Sequence, residues 1–361
     1  MRMLTTRRAA GLAMALGATG AAILTARQII PTAETLLADP GPPVPAPTPK
    51  PNVYVDEDGR SLVAVTTSPD PAAGARRAIE LLGGLDRIGI AGRRVLIKPN
   101  ANSGYPAPAS TSPAVLEAVI QLAQDHGARE VIVGELSGPP WHDTTAEMAR
   151  NGLLDVVENN GARFIDFRYD RWVTVPLGAG ARRFTTVSIP RSVYEAEVLI
   201  GVPALKTHFL AGYSLSVKLW FGAIHPRHRL ATHVTGALGE ALAELNLPFW
   251  PDLLVLDGSQ ALIAGGPKRG EAARTDLFLA SGDRIALDVC GVAVLASFGR
   301  WAPVREVGPW QQPQIRTAIA LGLGAADPAA ARLVPDPAPR DSATLARWLE
   351  VMRGGTGIAH G

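Results

Sequence analysis

The chain has 361 residues, 47% of them hydrophobic and 19% charged, with a formal net charge of +2. That is enough apolar material for a sizeable core in one large domain or two modest ones, and it excludes a disordered chain. Arginines are scattered rather than clustered, which excludes a nucleic-acid footprint, and a single cysteine, Cys290 in an apolar helical run, excludes an internal disulfide or a cysteine-held cluster.

Residues 1–30 have the layout of an export signal: Arg7 and Arg8, then an uncharged run over 9–26 rich in Ala and Gly. The paired arginines resemble the twin-arginine type. An uncleaved N-terminal anchor, with membrane association through this segment, is the alternative. The expected location is the periplasm, the cell envelope or the exterior. Residues 31–52 form a Pro-rich linker, with PGPPVPAPTPKP at 40–51, and read as an extended spacer. The folded body is expected over 53–300, and residues 301–361 as a helical extension packed on it.

Apolar periodicity predicts a helix over 72–82 and a strand over 94–97 that runs into Lys98, Pro99 and Asn100. Ser112 before Pro113 is a helix cap followed by a first-turn proline, so a helix is expected over 113–126, stopped by Gly127. A strand over 130–134 follows and ends in Glu135, completing a parallel βαβ unit. Residues 144–157 read as a helix. Residues 163–166, 172–175 and 183–189 read as strands of a smaller antiparallel layer. The run 198–201 is a central strand. Short helices are expected over 215–221 and 235–245, a strand over 253–256, a turn-rich loop over 264–270, and a strand over 276–280. Helices follow over 283–298, 313–323 and 342–352. The pattern is an α/β layered fold with a mainly parallel central sheet flanked by helices, plus a smaller antiparallel layer.

Four of these buried strands end in polar or ionisable residues: Lys98 with Asn100, Glu135, Lys206 with His208, and Asp257. Ligands of open α/β sheets bind beyond the carboxyl ends of the strands, so these groups are expected to share one cleft. There Lys206, His208, Glu135 and Asp257 are the candidate catalytic groups. Lys98, Asn100, Thr111, Ser112, Ser214 and Lys218 are candidate contacts for a small anion. Ser112 is equally explained as a helix cap. Ser214 and Lys218, four apart, share a face if this stretch is helical. His225, His228 and His233, with His208, would suit a divalent metal, but Pro226 breaks regular spacing and a basic surface loop is the default reading. P-loop, nucleophile-elbow and dinucleotide-binding signatures are not present in the sequence.

The same residues carry a family resemblance. In order they are IKPN at 97–100, TSP at 111–113, VGELSG at 133–138, PALKTH at 203–208, SLSVKLWFG at 214–222, DG at 257–258, GGP at 265–267 and SGDRIALD at 281–288. This set resembles the family catalogued as domain of unknown function 362, over roughly 53–299. The resemblance implies no assigned activity. Many members carry ferredoxin-type cysteines for iron–sulfur clusters, which this chain does not have. The family pattern has Asn after the third lysine, where Leu219 stands here. Two functions follow as expectations: an exported enzyme acting on a small anionic substrate, with protons moved or a divalent metal held by His208, or a non-catalytic exported protein that binds an anion or a metal.

Overall fold

Alternation of apolar side chains along each strand places two hydrophobic layers on opposite faces of one sheet. In the strand Arg94–Pro99, Val95 and Ile97 pack into the layer formed with the helices Pro71–Leu81 and Pro113–Asp125, while Leu96 joins the layer covered by the helix Arg284–Ser297. The computed structural model describes residues 36–138, 142–234 and 236–360. The expected export signal lies outside them. No helix among the described residues is long and apolar enough to cross a membrane.

The strands in chain order are β1 Ser61–Thr67, β2 Arg94–Pro99, β3 Glu130–Glu135, β4 Arg163–Asp166, β5 Trp172–Pro176, β6 Thr186–Pro190, β7 Val198–Val202, β8 Ala204–His208, β9 Gly212–Ser214, β10 Leu253–Gly265, β11 Gly270–Ser281, β12 Ala331–Pro335 and β13 Ala359–His360. The main sheet runs β13-β12-β1-β11-β10-β7-β2-β3-β4, with β8 beside β10 and β9 beside β8. The ladders from β10 through β7, β2 and β3 to β4 are parallel; β11 is antiparallel to both neighbours. All five residues of β7 are buried, as expected of a parallel strand covered on both faces. β5 and β6 form a separate antiparallel pair. The fold is therefore mixed α/β with a mainly parallel central sheet flanked by helices and a small antiparallel sheet.

Several local expectations change. The helix read over 144–157 is two helices, Thr144–Arg150 and Leu153–Asn159, broken where Gly152 takes φ 79°. Residues 163–166 leave the antiparallel layer and pair with β3. The C-terminal region is not only helical: β12 pairs in parallel with β1, and β13 with β12. The Pro-rich stretch is not a free spacer. Val44 N donates to Thr174 O (2.9 Å), Thr174 N donates to Pro42 O (2.9 Å), and Lys50 pairs with Asp252 at 2.7 Å. Gly41 there has φ 78° and lies so close to the Trp172 carbonyl that no Cβ fits.

Candidate functional site

β2 and β3 run parallel and end side by side, which brings Lys98 to Glu135. Lys98 Nζ donates to Glu135 Oε1 (2.7 Å) and to Pro99 O (2.9 Å). Glu135 also accepts the Leu136 N–H at Oε1 (2.8 Å) and the Ala101 N–H at Oε2 (2.9 Å). The two residues are 1% and 2% exposed. A buried ion pair persists only when further hydrogen bonds offset desolvation, and these backbone donors supply them. Burial pulls the Lys98 ammonium below the usual lysine range, and Glu135 opposes that shift. Gly222 closes over the pair: a Cβ there would lie 2.8 Å from Lys98 Nζ and nearer still to Glu135 Oε1.

After β7, the chain passes Pro203 and continues as β8, which presents Lys206 and His208. The Lys206 ammonium is fully buried behind the cleft wall. It donates to Asn100 Oδ1 (2.6 Å), to Ala109 O and to Pro267 O (3.4 Å). Its three protons thus meet three neutral oxygens, while burial draws its pKa down to about 7. His208 Nδ1 accepts the N–H groups of Leu210 (3.1 Å) and Ala211 (3.2 Å). Nδ1 therefore carries no proton, and Nε2 bears the hydrogen of a neutral imidazole. Burial, with Lys218 and Lys206 nearby, pushes the His208 pKa far below the usual histidine range.

β9 ends in Ser214, and the short helix Ser216–Leu219 then carries Lys218. Its N-terminus is held by the buried carboxylate of Asp288, which accepts from Ser216 N (2.8 Å), Ser216 Oγ and Val217 N (3.0 Å). Lys218 Nζ lies 5.1 Å from the centre of the Phe221 ring, and it donates no hydrogen bond to any described group. Arg229, on the helix Pro226–Val234, also packs against that ring at 5.3 Å and donates to the carbonyls of Leu136 (3.1 Å) and Gly138. Burial draws Lys218 to about 7, assisted by the charges of Arg229 and Lys98, and draws Arg229 to about 10.

Most of these side chains line one small cleft that opens to solvent. Its walls include Lys98, Asn100, Glu135, His208, Ser214, Lys218 and Arg229, with Leu136, Leu219 and Phe221 as apolar surface.

Other expected groups lie elsewhere. Asp257 Oδ2 accepts the Ser112 N–H (2.6 Å), and Oδ1 accepts the Ser259 N–H (3.1 Å) and hydroxyl (2.8 Å). This carboxylate occupies the N-terminus of the helix Pro113–Asp125, where an anion was expected, and it does not line the cleft. Ser112 Oγ caps that helix by accepting from Val115 N (3.2 Å). Thr111 Oγ1 is spent between the Asn100 N–H (2.8 Å) and Val202 O (2.7 Å).

The histidine stretch is helical rather than a loop, because Pro226 takes the first helical position, where its missing N–H costs nothing. His225 packs edge-on to Trp172 at 4.8 Å, and His228 Nδ1 accepts from Ser188 N at 3.4 Å. His233 Nδ1 meets Arg229 O at 2.7 Å. Among the described residues, no three His, Cys, Asp or Glu side chains come together as a metal shell. His208 argues the same way: with Nδ1 accepting two N–H groups, its Nε2 lone pair is taken by a proton. The geometry thus corrects the expected set of His208, His225, His228 and His233.

Residues 95–293 match the family described as Domain of unknown function (DUF362). The chain belongs to this family. The DUF362 match lies inside the broader span expected from the motifs. The chain is 30% identical over 223 residues to a thylakoid-associated protein of a Synechocystis species, which covers 60% of this chain and 67% of that protein. Among solved structures, the lactate racemase apoprotein from Thermoanaerobacterium thermosaccharolyticum is similar at a TM-score of 0.41 and 12% identity, over 87% of this chain and 89% of that one. Within this DUF362 chain, the candidate site residues missed Arg229, hidden in a stretch read as a basic loop, and Asp288, although it closes the SGDRIALD motif. A lone carboxylate in the apolar run RIALDVCGVAVL was the signal for the latter.

Proposed function

We propose that the cleft binds a small carboxylate or phosphate anion. The observation that carries this reading is a charge imbalance. Lys98, Lys218 and Arg229 face the cleft with Lys206 behind them, whereas Glu135 is the one carboxylate in its lining and is already paired with Lys98. An anion entering beside Lys218 would relieve that excess in a partly desolvated space, where charge-assisted hydrogen bonds are strong. His208 Nε2–H and the Ser214 hydroxyl would add neutral donors. Titration calorimetry with phosphate and with acetate tests this. Binding is expected for the native chain and a loss of at least about tenfold in Lys218→Met and in Arg229→Met, since ~1.4 kcal/mol is one factor of ten. Equal affinity in both variants would place the anion elsewhere.

A binding role without acid–base catalysis is favoured by one feature of the same cleft: Glu135 is committed to three N–H donors and His208 Nδ1 to two. Neither is a free base. An exported location is our reading of the N-terminal segment, and the thylakoid association of the relative is compatible with it. Fractionation of cells expressing a C-terminally tagged chain tests that, and recovery in the cytoplasm would defeat it.

A further inference from the structure

The chain has five lysines; Lys98 and Lys218 line this one cleft, and Lys206 lies behind its wall against Asn100. They are used differently. Lys98 is tied to Glu135 and Pro99, and Lys206 to three oxygens, but Lys218 lines the cleft beside the face of Phe221 and donates no hydrogen bond to any described group.

Resting on the anion-binding reading, we propose that Lys218 is a nucleophile that forms an imine with the carbonyl carbon of a 2-oxo acid. The acid's carboxylate would lie against Lys98 and Arg229. An amine attacks a carbonyl only when neutral, and lysines that do so sit in apolar surroundings or beside other cations. Lys218 has both: Leu219 and Phe221 around it, and Lys98 and Arg229 as neighbouring charges. With its pKa near 7, about half of the amine is neutral at pH 7, against well under about 0.1% for an ordinary lysine.

The step balances without an oxidant or reductant. The amine nitrogen bonds to the carbonyl carbon, and the carbonyl oxygen takes up the proton that the nitrogen releases. The resulting hydroxyl then leaves as water with the second amine proton, and the carbon–nitrogen double bond forms. His208 Nε2–H and Ser214 are the hydrogen-bond donors in the lining suited to the oxygen as it gains charge. The requirement for both a carboxylate and an adjacent carbonyl narrows the ligand class beyond an anion alone.

The test uses the full chain with pyruvate and cyanoborohydride, which reduces an imine to a stable secondary amine, followed by peptide mass mapping of all five lysines. The expected result is one carboxyethyl group on Lys218, formed at least about a hundredfold faster than on Lys50, which is ion-paired with Asp252, or on the half-buried Lys268, and suppressed by propionate, which has the carboxylate but no ketone. Lys218→Arg keeps the cation but cannot form the adduct, and its melting curve verifies folding. Labelling spread evenly over the lysines, or concentrated on Lys206, overturns the proposal. Pyruvate that binds by calorimetry but leaves no adduct overturns the imine while sparing the anion cleft. Neither binding nor labelling overturns both.

Discussion

Replacing Glu135 with Gln removes one charge from the cleft without changing its volume. The carboxylate now serves three donors, Lys98 Nζ, Leu136 N and Ala101 N, at 2.7–2.9 Å. An amide offers one oxygen, so its NH2 group must face either Ala101 N–H or the Lys98 and Leu136 donors. Lys98, 1% exposed, would lose its counter-charge. Breaking a buried pair by removing one partner costs about 3–5 kcal/mol, a large share of the roughly 5–15 kcal/mol that holds a domain together. Urea unfolding followed by circular dichroism is the assay. At pH 7 the expected loss is about 3 kcal/mol or more. The deficit should shrink as pH rises. Without Glu135 the folded pKa of Lys98 falls further below its unfolded value, so the variant sheds the unpaired charge earlier, whereas the unfolded chain keeps its proton to about pH 10. A variant within about 0.5 kcal/mol of the native chain at pH 7 would refute the buried pair as described.

The same site yields three more expectations. Gly222→Ala drives a methyl into the Lys98–Glu135 pair and should destabilise by about 1–3 kcal/mol, measured by the same unfolding curves. Lys206 and Lys218 have folded pKa values pulled down to about 7. The unfolded chain therefore holds protons that the folded chain releases between about pH 7 and pH 10, and stability should rise with pH across that window by up to ~1.4 kcal/mol per pH unit for each lysine. Melting temperatures of the native chain and of Lys206→Met with Lys218→Met would reveal it as a slope that the double variant flattens. Asp288→Ala leaves Ser216 N, Ser216 Oγ and Val217 N without their acceptor. It should cost about 1–3 kcal/mol in urea unfolding and weaken phosphate binding as the turn bearing Lys218 loosens.

Lys98, Glu135 and His208 were legible because each follows a short apolar run, and a strand's carboxyl end is a position that a sequence can mark. The parallel core was legible for the same reason: Val95–Ile97, Val131–Val133 and Val198–Ile200 have no polar side chain to place outward. Asp257 shares that signature yet turns away, because a helix N-terminus distant in sequence claims its charge, and strand-end position says nothing about which neighbour is nearer. Arg229 could not be placed until Pro226 was seen to open a helix rather than break one. The short strand β12 was missed because its partner, β1, lies more than two hundred residues earlier, and pairing across such a distance leaves little local pattern; β13, only two residues long, pairs with β12 and leaves less still.

The Pro-rich stretch has a further consequence for how these molecules meet one another. The pair β5–β6 is a two-stranded sheet, which would ordinarily offer two unpaired edges for a second copy to extend. One edge is taken where Pro42 and Val44 bond to Thr174; the other is stopped where His225 N donates to Ser188 O and His228 Nδ1 accepts from Ser188 N. The covering segment is itself unable to pass the ladder outward, since Pro40, Pro42, Pro43 and Pro45 have no N–H to give. Trimming the chain past Val44 would reopen the β5 edge, and the shortened protein should self-associate in a concentration-dependent way that the longer one resists.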